Sequence, residues 1–274
     1  MNPRVFKGQQ NKERRNGADQ STRPFAPVTA GAIQTRQERH LDGKQIAPDR
    51  SDVACLSLAE QNTLLRQKAL YEVKQGHYDA AIALFSVLIE RNPQSVNDYN
   101  NRGLLYVQNG QLAYALADYN AALQLNPRLA KIYNNRANCY ASLGRPMEAL
   151  FDYETALDLN PANTHARINQ GITFRELEMY EHAIETFDLA LQFDQLLSGA
   201  SHTGKTTSIA GHIYAERGRT SHLAGDWNYA VADYRRTLAV LSPSETTLLD
   251  VSQRLRLQVK VWLSELLKPQ PNAS

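Results

Sequence analysis

Gly199-Ala200-Ser201-His202-Thr203-Gly204-Lys205-Thr206 fits the phosphate-loop pattern letter for letter. In a working loop of that kind the backbone N–H groups cradle a nucleotide's phosphates, the lysine neutralises them and the hydroxyl holds magnesium. The loop must hang from a buried parallel strand and open a helix, with an acid from another strand beside it. Here Phe187 to Leu197 reads as helix, and no run of alternating β-branched residues supplies a sheet anywhere in the chain. The string is therefore read as a Gly/Ser/Thr insertion, with nucleotide binding through Lys205 and Thr206 kept as an alternative. His165, His202, His212 and His222 offer a second chemistry, but their spacing does not set three of them on one helical face with a carboxylate. Cys55 and Cys139 have neither Cys-x-x-Cys nor Cys/His spacing, and Cys139 falls among small residues on a helix, where packing is its expected role. No Ser/His/Asp or Cys/His set assembles by local spacing. The expectation is a chain that is not an enzyme and needs no cofactor or metal.

The elements that would hold such groups are helical. At 274 residues and 42% hydrophobic, the chain can build a substantial core. Its formal charge of +2 hides an asymmetry: residues 1–50 hold ten Lys/Arg against five Asp/Glu, and the remainder twenty against twenty-three. Residues 1–55 are rich in Gln, Arg, Asn, Gly and Pro, and Val5, Phe6, Phe25, Val28 and Ile33 show no period. That composition predicts a disordered basic tail. Cations follow Met1 with no apolar stretch behind them, so no secretory signal is expected, and no run approaches the ~20 apolar residues of a membrane span. A reducing, cytoplasmic setting is expected. Order is predicted to start at Ser57, where Ser57 and Glu60 have capping-box spacing.

A fixed period then organises the chain. Tyr99, Gly103, Tyr106, Gly110, Ala115, Tyr119, Ala122 and Pro127 recur 34 residues later as Tyr133, Ala137, Tyr140, Gly144, Ala149, Tyr153, Ala156 and Pro161. An earlier copy reads Leu65, Ala69, Glu72, Gly76, Ala81, Phe85, Leu88 and Pro93. A later one reads Arg167, Gly171, Phe174, Glu178, Ala183, Phe187, Ala190 and Gln195. A fifth follows a further 13-residue displacement as Tyr214, Gly218, Ser221, Gly225, Ala230, Tyr234 and Thr237. Small residues let two helices approach closely, aromatic residues fill the gap to the next pair, glycines mark the turns and prolines end the second helices.

This pattern resembles the tetratricopeptide repeat family over roughly residues 58–243. The resemblance implies an all-α superhelix of about five helix hairpins, at about 62–95, 96–129, 130–163, 164–197 and 211–244, with an insertion at 198–210. Residues 245–267 have apolar positions at helical spacing, Leu248, Val251, Leu255, Val259, Trp262 and Leu266, and read as a capping helix. One position departs from the family pattern. Before the small residue, where Leu is common, stand Lys68, Arg102, Arg136, Gln170 and Arg217, and sixteen residues later come Leu84, Asp118, Asp152, Thr186 and Asp233. Asp accompanies Arg each time, which predicts ion pairs Arg102–Asp118, Arg136–Asp152 and Arg217–Asp233 inside the hairpins. As partly exposed pairs they would add ~0–1 kcal/mol each and mainly set register.

In the family the first helices line a concave groove. The matching positions are Arg66, Asn97, Asn100, Asn101, Leu104, Lys131, Asn134, Asn135, Asn138, His165, Asn169 and Arg175, with Leu70, Lys74, Gln108, Ile168, His212 and Arg219 beside them. Asn-rich and sparsely cationic, this surface suits the main chain of an extended peptide. Some members clamp the C-terminal carboxylate of chaperones with Lys, Asn and Arg. Arg66, Asn101, Lys131 and Asn135 resemble that set, but Leu70 replaces an amide and Asn135 a cation. The function expected is a protein–protein scaffold, adaptor or assembly factor, whose partner is another protein and whose basic tail makes a second contact. The alternative is nucleic-acid association through the tail, against which stand the acidic body and the scarcity of aromatic residues among the tail's cations, Phe6 and Phe25 alone.

Overall fold

The computed structural model describes residues 56–199, 208–241 and 251–267 as eleven α-helices, with no strand among them. The basic tail, most of the phosphate-loop string and the first residues of the predicted capping helix lie outside the described residues. The helices pair in chain order into five hairpins. These are α1 (Leu58–Lys74) with α2 (Tyr78–Arg91), α3 (Val96–Gln108) with α4 (Leu112–Leu125), α5 (Ala130–Ser142) with α6 (Pro146–Leu159), α7 (Thr164–Glu176) with α8 (Tyr180–Gly199), and α9 (Ser208–Ala224) with α10 (Trp227–Val240). α11 (Val251–Leu266) then packs on α10 and α9. The α-α superhelix expected from the repeat is the fold. The insertion read at 198–210 is shorter than that, because α8 reaches Gly199 and α9 starts at Ser208.

Local chemistry explains the boundaries. Ser57 caps α1 by the expected box: its Oγ accepts the Glu60 N–H at 3.3 Å, while Glu60 Oε2 accepts the Ser57 N–H at 2.8 Å. Gly76, Gly110, Gly144 and Gly225 close the first helices with φ of +69° to +89°, the left-handed turn that glycine adopts without a Cβ penalty. The fourth hairpin makes the same turn at Glu178 with φ +60°. Helices α2, α4 and α6 stop two residues before Pro93, Pro127 and Pro161. With Gln195 in that place, α8 runs on to 20 residues against 14.

Packing follows the register. Phe85, Tyr119, Tyr153, Phe187 and Tyr234 are the buried anchors, surrounded by buried Ala69, Ala81, Ala115, Ala149, Ala183 and Ala230. A Cβ on Gly103 or Gly171 would lie 2.7 Å from the ring of Tyr119 or Phe187, so these hairpins close more tightly than an alanine would allow unshifted. Cys139 is buried in the core and its thiol is pushed up to about 12 by burial, consistent with a packing role.

All three predicted ion pairs form, each bidentate. Arg102 donates to Asp118 at 2.9 and 2.7 Å, Arg136 to Asp152 at 2.7 and 2.8 Å, and Arg217 to Asp233 at 2.7 and 2.8 Å. They do more than the sequence implied. The remaining guanidinium nitrogen reaches back to the preceding hairpin: to Ser86 Oγ at 2.9 Å, to Asn120 Oδ1 at 2.7 Å, and to Asp188. Tyrosine rings flank the cations, Tyr99 and Tyr106 around Arg102 and Tyr133 and Tyr140 around Arg136. The carboxylates are 6%, 1% and 3% exposed, so the small contribution expected of exposed pairs is the wrong scale. Removing one partner strands a buried charge, which costs ~3–5 kcal/mol.

The anchor tyrosines differ in how their hydroxyls are met. The Tyr153 hydroxyl donates to Asn138 Oδ1 at 2.6 Å. In the second hairpin Leu104 stands in the register of Asn138, and the buried Tyr119 hydroxyl has no partner among the described residues. Tyr153→Phe should lower the unfolding free energy in urea by about 1 kcal/mol, and Tyr119→Phe should leave it unchanged or raise it; the opposite order would refute the assignment. Glu178→Gly should raise stability by up to about 1 kcal/mol through relief of the left-handed residue, and a loss would show that the Glu178 side chain matters more than its backbone.

Candidate functional site

The first helices of successive hairpins touch one another, α3 with α5, α5 with α7 and α7 with α9. Crowding on that side bends the stack, so the first helices form its inner wall. The expected groove positions divide there into two depths. At the rim one register of the repeat supplies Asn97, Lys131, His165 and His212, one from each of four helices; Asn97 is exposed and the others half-buried. Lys74 and Gln108 are exposed toward the ends of their helices, and Arg175 and Arg219 are half-buried.

The floor is different. Asn100, Asn101, Leu104, Asn134, Asn135, Asn138 and Asn169 are all buried, between 2% and 7% exposed. Four of their amides, those of Asn100, Asn135, Asn138 and Asn169, tie neighbouring first helices together. Asn135 Nδ2 donates to Asn100 Oδ1 at 2.9 Å, from α5 to α3, and Asn169 Nδ2 donates to Asn138 Oδ1 at 3.0 Å, from α7 to α5. Asn138 Oδ1 thus accepts twice, from Asn169 and from Tyr153. These amides are structural ties first, a correction to the picture of side chains held out toward a peptide. The spacing placed them on one face of the first helices; it carried no information on how deep that face would sit.

Ion pairs take the two ends of the wall. Arg66 of α1 grips Asp98 of α3 through two bonds at 2.8 and 2.6 Å, and Ser95 Oγ donates to the same carboxylate at 2.6 Å. Arg66 is therefore committed within the chain, which removes it from a carboxylate clamp that Leu70 and Asn135 already left incomplete. At the far end Arg175 of α7 pairs with buried Glu216 of α9, and His212 Nε2 lies 3.9 Å from the same carboxylate. Burial pushes the Glu216 pKa up, but the charges of Arg175 and His212 outweigh it and the carboxyl is held below its ordinary range. Burial lowers the Lys131 pKa, and burial with the nearby His212 lowers that of His165. Asn134 Oδ1, Asn169 Oδ1 and His165 Nδ1 are buried without a hydrogen-bond partner among the described residues.

Asp98 and Glu216 were not among the expected site residues. Both carry a signal in the register: Asp98 stands where later copies have Ile132, Ala166 and Ile213, and Glu216 where earlier ones have Asn101, Asn135 and Asn169. A charge alone in an otherwise apolar or amide column marks a buried pair. The described residues contain no group of three His, Cys, Asp or Glu side chains placed to hold a metal, and no helix long and apolar enough to cross a membrane.

The geometry agrees with comparisons to known proteins. The description "Tetratricopeptide repeat" matches residues 130–163, and "TPR repeat" matches residues 103–144. No curated protein matches the sequence. Among solved structures, MamA from Desulfovibrio magneticus superposes with a TM-score of 0.58 at 14% identity, over 69% of this chain and 100% of that one. TTC0263, a thermophilic TPR protein of Thermus thermophilus, gives 0.54 at 18% identity, over 75% and 98%. YrrB, described as a TPR protein with an unusual peptide-binding site, gives 0.53 at 17% identity, over 78% and 98%. Residues 103–163 thus match tetratricopeptide repeats, and the same 34-residue register and all-helical fold run through the five stacked hairpins.

Proposed function

We propose that this chain is a scaffold or adaptor that holds an extended segment of another protein along the inner wall, without catalysing a reaction on it. The observation that carries the reading is the row Asn97, Lys131, His165 and His212, which puts one polar side chain from each of four successive hairpins on the open face. Repeats stacked about 10 Å apart along a groove match a peptide read at every third residue or so. The floor amides keep the wall rigid, so little ordering of the protein accompanies binding. Lys74, Lys131, Arg175 and Arg219 stand on this wall against Glu176 and the paired Glu216, which favours a neutral to acidic segment over a basic one. The similar structure of YrrB is described as having an unusual peptide-binding site, which supports peptide binding by this fold. A cytoplasmic setting goes with the reading, since two cysteines without paired spacing suit a reducing compartment.

The test is affinity purification with the full chain, with a rim variant Asn97→Ala/Lys131→Ala/His165→Ala, and with an outer-face control, Tyr229→Ala. Partners should be retained by the wild type and the control and fall roughly tenfold or more with the rim variant, at unchanged thermal stability. Identical retention by all three would reject the inner wall as the binding surface.

A further inference from the structure

The outer side of the third hairpin carries an apolar cleft that the fold does not need. Met147 and Phe151, one turn apart on α6, are 66% and 67% exposed, and with Tyr140 they line an open cleft of about 280 Å³ whose walls include Arg136, Glu148 and Asp152. The same two registers hold Ala113 and Ala117 in the second hairpin and Glu181 and Glu185 in the fourth, so neither large side chain serves the repeat. The charges at the cleft itself are balanced, Arg136 with Asp152 and Arg145 with Glu148, and the unpaired charge on the helices that carry it and follow it is acidic. α6 and α8 contain no Lys or Arg and eight Asp/Glu between them. Arg145, Arg136 and Arg217 pair with Glu148, Asp152 and Asp188, while Glu154, Asp158, Glu181 and Glu185 are exposed and make no ion pair among the described residues. Glu154 occupies the column of Ser86, Asn120 and Asp188, each of which receives an arginine from the next hairpin; the fourth hairpin has Gln170 instead.

An exposed aromatic and thioether pair on a helix whose unpaired charges, Glu154 and Asp158, are acidic calls for an occupant that is apolar at one point and basic beside it. The chain contains such a segment: Arg4-Val5-Phe6-Lys7, followed by Lys12, Arg14 and Arg15, within the fifty residues that hold ten Lys/Arg. We propose that this amino-terminal segment docks on the outer cleft of its own chain, with Val5 and Phe6 against Met147, Phe151 and Tyr140 and its cations facing Glu154, Glu181 and Glu185. On the inner wall Lys74, Lys131 and Arg219 disfavour the same basic segment, Arg175 being paired with Glu216, which leaves the outer face as its better complement. Reach is no obstacle, since fifty residues can span up to ~170 Å and the third hairpin is two repeats from α1. Tethering also supplies an effective concentration on the order of millimolar, enough for a weak contact to form. The inference does not depend on the groove reading, because it concerns the opposite face.

Zero-length amine-to-carboxyl cross-linking of the full chain, at about 1 µM and low salt, tests it. Lys7 or Lys12 should couple to Glu154, Glu181 or Glu185 within single chains. The yield should fall roughly tenfold or more in Met147→Ala/Phe151→Ala and in Phe6→Ala, as expected for loss of one buried aromatic contact. It should also fall at about 0.5 M salt. Phe6→Ala lies outside the helical array and keeps the test independent of its folding. Equal yields in the variants, cross-links to other carboxylates only, or cross-links only between differently labelled chains would overturn the proposal.

Discussion

A guanidinium buried between helices is tolerable only when its N–H groups and its charge are all answered, and that requirement fixes the relative position of whatever answers them. Arg102, Arg136 and Arg217 are each answered by a carboxylate on their own hairpin and by an oxygen on the hairpin before. Three helices are thereby held in register by one side chain. Hydrophobic burial of the Phe85, Tyr119, Tyr153, Phe187 and Tyr234 column drives the stacking, but it is non-directional and would accept a shifted neighbour. The arginine contacts would not, because a slip of one residue separates the fork from both of its partners.

The two hairpins without an arginine–aspartate pair each contribute an ion pair on the inner wall. The first hairpin has Lys68 and Leu84 in place of the pair, and Arg66–Asp98 joins it to the second. The fourth has Gln170 and Thr186, and Arg175–Glu216 joins it to the fifth. Between the third and fourth hairpins no ion pair crosses among the described residues, and the polar ties include the amide bond from Asn169 to Asn138, the Thr173 hydroxyl beside Tyr153 and the Arg167 guanidinium donating to the Pro161 carbonyl at 2.9 Å. That is also where Asn134 Oδ1 and Asn169 Oδ1 stand unpaired inside and Glu154 stands unpaired outside. The surfaces proposed for binding, inner and outer, both include this junction.

Much of this was legible in the residues. The 34-residue period carried the helices, the turns and the three arginine–aspartate pairs, because each depends on spacing along or between helices of one hairpin. The backward reach of each arginine lies in the same register, at Ser86, Asn120 and Asp188, but its partners are of three different types and form no visible motif. The groove was legible as a face and illegible as a depth. Asn134 and Lys131 belong to the same helix face, yet neighbouring helices bury one and leave the other half-open, and helix spacing is a tertiary quantity. Arg66 read as a ligand-binding cation for the same reason, since its partner Asp98 comes from the next hairpin.

Coupling of adjacent hairpins through the arginine contacts is tested most directly by a double-mutant cycle across the second and third, with Asn120→Ala, Arg136→Ala and both together, read by urea unfolding. Since a hydrogen bond to a charged group contributes about 1.5–3 kcal/mol, the coupling energy should be at least about 1 kcal/mol. Additivity within about 0.5 kcal/mol would show that Arg136 acts inside its own hairpin alone, and that apolar burial by itself sets the stacking.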